Sequence, residues 1–432
     1  MDNIIIKDIN NSTIQIEVAG QLREIQNQLE AFKTLFESLN AKSFQTADKI
    51  YNINSITNAN FGYILGQTNA QFVLPANIAN ELITDASPWV TSIKQAIQRQ
   101  QVAVSNSPRF VFQHYGWLIE AYLLKMETKQ GKERSLRSFS FMVGAFQSSL
   151  RYLCYIQIAQ LLKQNNSVQL PVLGDFISAS KEEYLTFDYL NLLILSTEVL
   201  DRADAFCPQI HDLVEELIDP NSDLYGTALF LDKYSRDFIN DNLAISDAIL
   251  DEYLTALVFW LRNIAFLAKY RLVSIKDIAL RYRLGTAKTY LHIYGELHGI
   301  YDHTTMDRGE YIEQAIENLF TYNHSVLLFN GSNIESCLGN LANPNAYLSL
   351  SPLVIDRSVF LEKPTQTPSI FCFAGCAGRE YQFQEYNNKI SLADSDSKKT
   401  LTVKRINTQT PKLDDFFEEM EKNFAPFKSI KP

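Results

Sequence analysis

Apolar residues recur every three or four positions through most of the first 270 residues, and every second position through much of the remaining chain. The rhythm changes inside Leu254–Tyr282. Leu254, Leu257, Val258, Leu261, Ile264, Ala265 and Ala268 line one face of a helix. From Leu272 to Tyr282 the period is two, that of a strand. The pattern predicts an α+β protein, with a mostly helical body, an N-terminal β-hairpin/coiled-coil module and a β-rich C-terminal domain. The expected boundaries are 1–57 for the module, 74–270 for the body and 271–432 for the β-rich part.

The amino-terminal module rests on two patterns. Residues 3–18 hold two β-branched runs around Asn10 and Asn11, a pair suited to a tight hairpin turn. A lone hairpin is marginal in water and needs cover for its apolar face. Val18, Leu22, Ile25, Leu29, Phe32, Phe36 and Leu39 then come at alternating spacings of four and three, a heptad seam. Such a seam is narrower than the stripe a globular helix buries, so it predicts self-association through Leu22, Ile25, Leu29, Phe32, Phe36 and Leu39. Pairing within the chain, with Phe44–Ile56, is the alternative. The Asn-, Gln- and Thr-rich stretch 52–75 reads as a linker.

In the body, Ser87-Pro88 and Ser107-Pro108 each look like a helix cap and first helical residue. The second is expected to carry Phe110, His114, Trp117, Leu118, Ala121 and Tyr122. A long helix is expected over Ser135–Gln164, and Tyr184–Leu200 is apolar almost all round, as a central helix would be. After the change of rhythm, strands are predicted at 272–283, 288–298, 325–330, 346–356, 369–373, 379–386 and 401–406. Short helices are expected near Tyr311–Leu319 and over Leu413–Phe424.

Composition narrows the classes. At 432 residues the chain exceeds one typical core, and 46% hydrophobic with 12% aromatic content suffices to bury large ones. A net charge of −10 argues against a general nucleic-acid or anionic-membrane surface. The five cysteines are odd in number and scattered, which fits reduced thiols in a cytoplasmic setting. No signal peptide pattern opens the chain and no apolar run reaches membrane-span length.

Candidate chemistry is sparse. The sequence has no GxxxxGK[ST], GxSxG, HExxH or paired CxxC, and no GxGxxG after a strand. Arg109 and His114 enclose four residues, a spacing that matches the Arg-x4-His core of the helical HEPN ribonucleases, with Phe110 where that family usually carries a polar residue. That resemblance would place both side chains on an RNA phosphate and ribose. His292, Glu296 and His298 share parity on a predicted strand and would emerge on one face, a donor set acceptable to zinc or manganese. A solvated strand face needs no metal and is the simpler reading. Cys372 and Cys376 lack redox spacing and read as structural.

Three stretches carry a wider resemblance. The Asn-rich hairpin and coil at 3–39 resemble the effector-associated, TRADD-N-like modules of bacterial conflict and anti-phage defence proteins. FMVGAFQSSLRYLCYIQIAQLL with LPVLGDF, and LVSIKDI with SVLLFN and YLSLSPLVID, are similar to helical and carboxyl-terminal parts of proteins from the same systems. The resemblance implies a signalling adaptor or scaffold that brings partners together by homotypic contact, with an effector on another chain and no active-site residue. The expected function is thus a non-enzymatic sensor or adaptor that forms a homo-oligomer, engages a protein partner, needs no cofactor and does not enter a membrane. A HEPN-like ribonuclease and a metal-dependent hydrolase are the alternatives.

Overall fold

The computed structural model describes residues 87–100, 111–164, 170–240, 242–281, 289–297, 310–314, 325–331, 343, 345–360, 369–377, 380–385, 400–403, 411–424 and 427. The hairpin and the seam residues Leu22, Ile25, Leu29, Phe32, Phe36 and Leu39 lie outside the described residues, as do Arg109 and His298. The described part is a mixed α+β architecture, a mostly helical middle followed by two small antiparallel sheets.

The first helices are α1 (Pro88–Arg99), α2 (Trp117–Glu127), the single turn α3 (Lys129–Lys132) and α4 (Leu136–Lys163). The expected helix from Ser107-Pro108 through Tyr122 does not run through. Val111 and Phe112 form a short turn and the helix proper starts only at Trp117, because Gly116 adopts φ 85°. The carboxylate of Glu120, fully buried, reaches back one turn and accepts from the backbone N–H groups of Tyr115 and Gly116 at 2.7 and 2.9 Å. His114 therefore sits on a bend before the helix, not on its face. Truncating Glu120 to alanine removes the acceptor that these two donors share. We expect a loss of about 1.5–3 kcal/mol in unfolding free energy, read by urea denaturation.

Helix α4 is the axis of the body. Ser135 caps it, accepting from Ser138 N–H while the Ser138 hydroxyl accepts from Ser135 N–H, both at 3.2 Å. Buried residues occur on every side of it, as befits a helix surrounded by others. Helices α7 (Tyr189–Glu198), α9 (Asp223–Ile239) and α10 (Asp247–Asn263) pack around it together with α2. Polar residues on α4 are used locally. Ser149 accepts from Trp260 Nε1 at 2.7 Å and donates to the Phe146 carbonyl at 2.6 Å. Gln157 donates to Thr197 Oγ1 at 2.7 Å.

Between α4 and α7 run α5 (Pro171–Ser178) and α6 (Lys181–Leu185); α8 (Gln209–Ile218) links α7 to α9. The predicted helix over Tyr184–Leu200 is thus two, broken at residues 186–188, where Asp188 caps α7 by accepting from Asn191 N–H at 3.1 Å. Among the described residues no helix is long and apolar enough to cross a membrane.

The change of rhythm falls where the periodicity put it. After α10 a 3₁₀ segment, Ala265–Lys269, leads directly into β1 (Tyr270–Arg281). With β2 (Thr289–Glu296), β3 (Glu310–Gln314), β4 (Val326–Asn330) and β5 (Tyr347–Ser349) it forms a sheet of order β3-β2-β1-β4-β5. Two expectations are corrected here. Residues 310–314, expected at the start of a short helix, pair with β2 as a strand, since Ile312 lies opposite His292. The stretch 346–356 is two strands, β5 and β6 (Val354–Asp356), which belong to different sheets. The second sheet has the order β6-β7-β8-β9, from β7 (Ile370–Ala377), β8 (Glu380–Glu385) and β9 (Thr400–Val403), and α11 (Pro411–Phe424) closes over it through Phe416, Phe417, Met420 and Phe424.

One hydrophobic core runs through the helices and both sheets, from Trp89 to Phe424. Tyr270, Leu272, Val326, Leu328 and Leu348 are the first sheet's contribution to it among the described residues. Their neighbours Val273, Ile275, Leu327, Phe329, Tyr294 and Tyr347 make a separate cluster on the opposite face.

Candidate functional site

From Ser138 to Leu161 every residue of α4 is buried except Arg151, which is partly open. A cation in the middle of an apolar helix requires an account, since its desolvation is costly unless it is paired. Here its partners are rings. The guanidinium carbon lies 5.0 Å from the ring centroid of Tyr184 and 5.1 Å from that of Tyr189. The two rings stand nearly perpendicular, at 85°, so they form two walls of a corner around the charge. Among the described residues Arg151 has no hydrogen bond and no ion pair, and its Nε is sealed from solvent without a partner.

The corner is built by five elements and held by hydrogen bonds. Tyr155, one turn along α4 from Arg151, shares a short hydrogen bond with the Tyr184 hydroxyl and reaches the Phe373 carbonyl of β7 at 3.3 Å. Tyr189 donates to the Tyr184 carbonyl at 2.8 Å, and Cys154 Sγ donates to the Tyr189 carbonyl at 3.3 Å. Behind the walls Phe176 makes tilted or edge contacts with Tyr184, Tyr189 and Phe373. The break at 186–188 lets α6 and α7 turn both tyrosines toward one point.

The second sheet completes this junction through a bulge. Between Phe373↔Phe383 and Gly375↔Gln382 the register of β7 slips by one residue. Gly375, at φ 115°, brings Cys376 N–H to 2.9 Å from the Ala179 carbonyl at the α5–α6 joint. A side chain on Gly375 would run into that carbonyl.

The surrounding groups are held in their neutral forms. Burial raises the phenols of Tyr155, Tyr184 and Tyr189 above the usual tyrosine range. It raises the Cys154 thiol as well, and pushes that of Cys372 up to about 12. All are hydroxyls and thiols at neutral pH. The site is thus a cation held beside two buried aromatic rings.

Compared with known protein families, curated proteins and solved structures, the chain matches none of them.

Of the candidate residues taken from the sequence, His114, His292 and Glu296 are described and none of them is among the residues that build this corner. His114 is half-buried on its bend, and Arg109 lies outside the described residues. His292 and Glu296 do share a side of β2, but they differ in setting. His292 is fully buried opposite Ile278 and Ile312, whereas Glu296 is half-open and pairs with Arg271 at 3.4 Å. His298 is outside the described residues. Among the described residues no group of three or more His, Cys, Asp or Glu side chains is placed to hold a metal ion. Cys372 and Cys376 both lie on β7 and are not joined in a disulfide. Sequence reasoning missed Arg151, though the signal was legible: an arginine inside SSLRYLCYIQIAQLL, where every turn is otherwise apolar or neutral.

A second buried polar group joins the two sheets. Asp356, at the end of β6, accepts from Ser274 Oγ of β1 and from Ser369 N–H, both at 2.8 Å. Lys276, the bulge residue of β1, lies close enough for Asp356 to support its charge, while burial depresses its pKa. We read this group as a fastening between sheets, because each contact ties one strand to another.

Proposed function

We propose that this chain is a non-enzymatic sensor or adaptor of bacterial anti-phage defence, acting in the cytoplasm. Residues 1–57 associate with their counterparts in other copies and recruit a protein effector, and the helical body with its sheets receives the signal. The observation that supports the receiving role is Arg151: a cation held between aromatic walls, given no anion by the described residues, at the place where helices α4, α6 and α7 meet β7. A receptor needs such an unspent group, whereas a catalyst needs nucleophiles or bases poised to titrate near neutrality. The hydroxyls and thiols around Arg151 are shifted the other way.

The enzymatic alternative gives an opposite result in one assay. Purified full-length protein incubated with single-stranded and structured RNA is expected to leave both intact over hours at micromolar concentration. Cleavage that disappears in His114→Ala, with the variant's unfolding transition unchanged, would replace the adaptor reading by a ribonuclease centred on Arg109 and His114.

A further inference from the structure

We infer that the edge of β1 at Asp277–Arg281 pairs with the same edge of a second copy, antiparallel and about a two-fold axis at Ala279. This pairing extends the association reading and rests on it in one respect: an edge so short pairs only once residues 1–57 hold the copies together. Its origin is a mismatch of strand lengths. β1 is paired with β2 as far as Arg281, whereas on its other side β4 accompanies it only from Tyr270 to Ser274. One more bond, from Ile275 N–H to the Ser325 carbonyl at 2.9 Å, ends that contact. From Asp277 onward no strand among the described residues lies on that side of β1.

The backbone there is turned outward. Ile278 N–H donates to the carboxylate of its own neighbour, Asp277, at 2.9 Å, so it faces away from β2. Period two puts the N–H and C=O of Leu280 on the same side. Asp277 is exposed, Ile278 is half-buried and Leu280 is 56% exposed. A large apolar residue on an unpaired edge favours addition of a strand, and edges that avoid it carry charge there instead.

The residues of the edge select the occupant. Asp277, Ile278, Ala279, Leu280 and Arg281 run acid, apolar, small, apolar, base, an order complementary to its own reverse. An antiparallel copy centred on Ala279 sets Asp277 opposite Arg281 at both ends and Ile278 opposite Leu280. Ile278 and Leu280 both offer outward groups, so each such pair exchanges two N–H···O bonds. Moving the axis to Ile278 or Leu280 takes the charges out of register. The contact is isologous and closes at two chains. It buries too little to hold free chains together, but a tether raises the effective concentration to about millimolar.

The test is disulfide trapping in the full-length protein. In the paired edge Ala279 faces its own counterpart at a Cα separation of about 4.5 Å, within disulfide reach, whereas the two Leu280 positions lie roughly 8–9 Å apart. Under mild oxidation Ala279→Cys is expected to give a covalent dimer on a non-reducing gel, well above the background of the native cysteines and of Leu280→Cys. Adding Asp277→Arg sets arginine against arginine and should lower the trapped fraction several-fold. Adding Arg281→Asp as well restores opposite charges in reversed order and should restore trapping, which a merely unfolded sheet would not do. The inference is overturned if Ale279→Cys traps no more than background, if it traps no faster than Leu280→Cys, or if the double reversal recovers nothing. Light scattering on the same samples shows separately whether residues 1–57 associate. Trapping lost in the Leu29→Glu/Phe32→Lys background supports the tether, and trapping retained there keeps the edge pair but overturns its dependence on the module.

Discussion

Gly375→Ala is expected to lower the unfolding free energy by about 2–5 kcal/mol, the largest single-residue effect in the described unit. Two costs add at this position. The backbone sits at φ 115°, which an L side chain adopts only under strain of about 1–3 kcal/mol. The added methyl also meets the Ala179 carbonyl, which cannot simply retreat because it accepts from Cys376 N–H at 2.9 Å. Relief requires the β7 bulge to pull away from the α5–α6 joint. Phe373 would move with it, and Phe373 bears on Phe176 and, through its carbonyl, on Tyr155. Urea and thermal denaturation measure the loss, and the Arg151 corner should loosen in step. An unchanged melting temperature would mean that the bulge does not dock as described.

That position also marks where sequence reasoning stops. The glycines in FCFAGCAGRE suggest a turn after a strand ending at Phe373, yet β7 continues to Ala377. Glycine has the same meaning in a turn and in a bulge, namely a φ that other residues avoid, and only the register of the partner strand distinguishes them. The helices were easier. The Ser87-Pro88 start of α1 and the apolar spacing along α4 are local signals, and α4 differs from the expected span only at its ends. The strand at Glu310–Gln314 failed for the opposite reason: its pairing with β2 is a distant contact, and nothing in EYIEQ alone excludes a helical turn. His114 left its expected helix because of Gly116, whose φ of 85° depends on the buried carboxylate of Glu120 four residues later.

The candidate site was less legible than the fold. Motif spacing drew attention to Arg109, His114, His292, Glu296 and His298, residues whose types are associated with catalysis. The described structure instead brings together an arginine and three tyrosines, from α4, α6 and α7, that no fixed spacing connects. Tyr184 and Tyr189 flank a break that looked like the middle of one continuous helix. Desolvation of Arg151 was the usable clue, since a charge on a buried helix must be answered by something nearby.

The second large effect concerns the association that the adaptor reading requires. Leu29→Glu combined with Phe32→Lys places two charges in the centre of the heptad seam. Burying one leucine or phenylalanine contributes about 1.5–3 kcal/mol, so a seam of several such residues can outweigh the cost of bringing chains together. Two buried charges reverse that balance, because their desolvation is not repaid unless a matched partner faces each of them. The expected result is dispersal of the assembly to monomer. The described unit should still unfold cooperatively, since its own core runs from Trp89 to Phe424.

Multi-angle light scattering on the full-length protein, wild type beside the Leu29→Glu/Phe32→Lys variant, tests this most directly. We predict a wild-type mass of two or more 49.3 kDa chains and a variant mass equal to one chain, with helical circular dichroism and thermal transition retained. A wild-type protein that already elutes as a monomer, or a variant whose mass does not fall, would contradict self-association through residues 1–57.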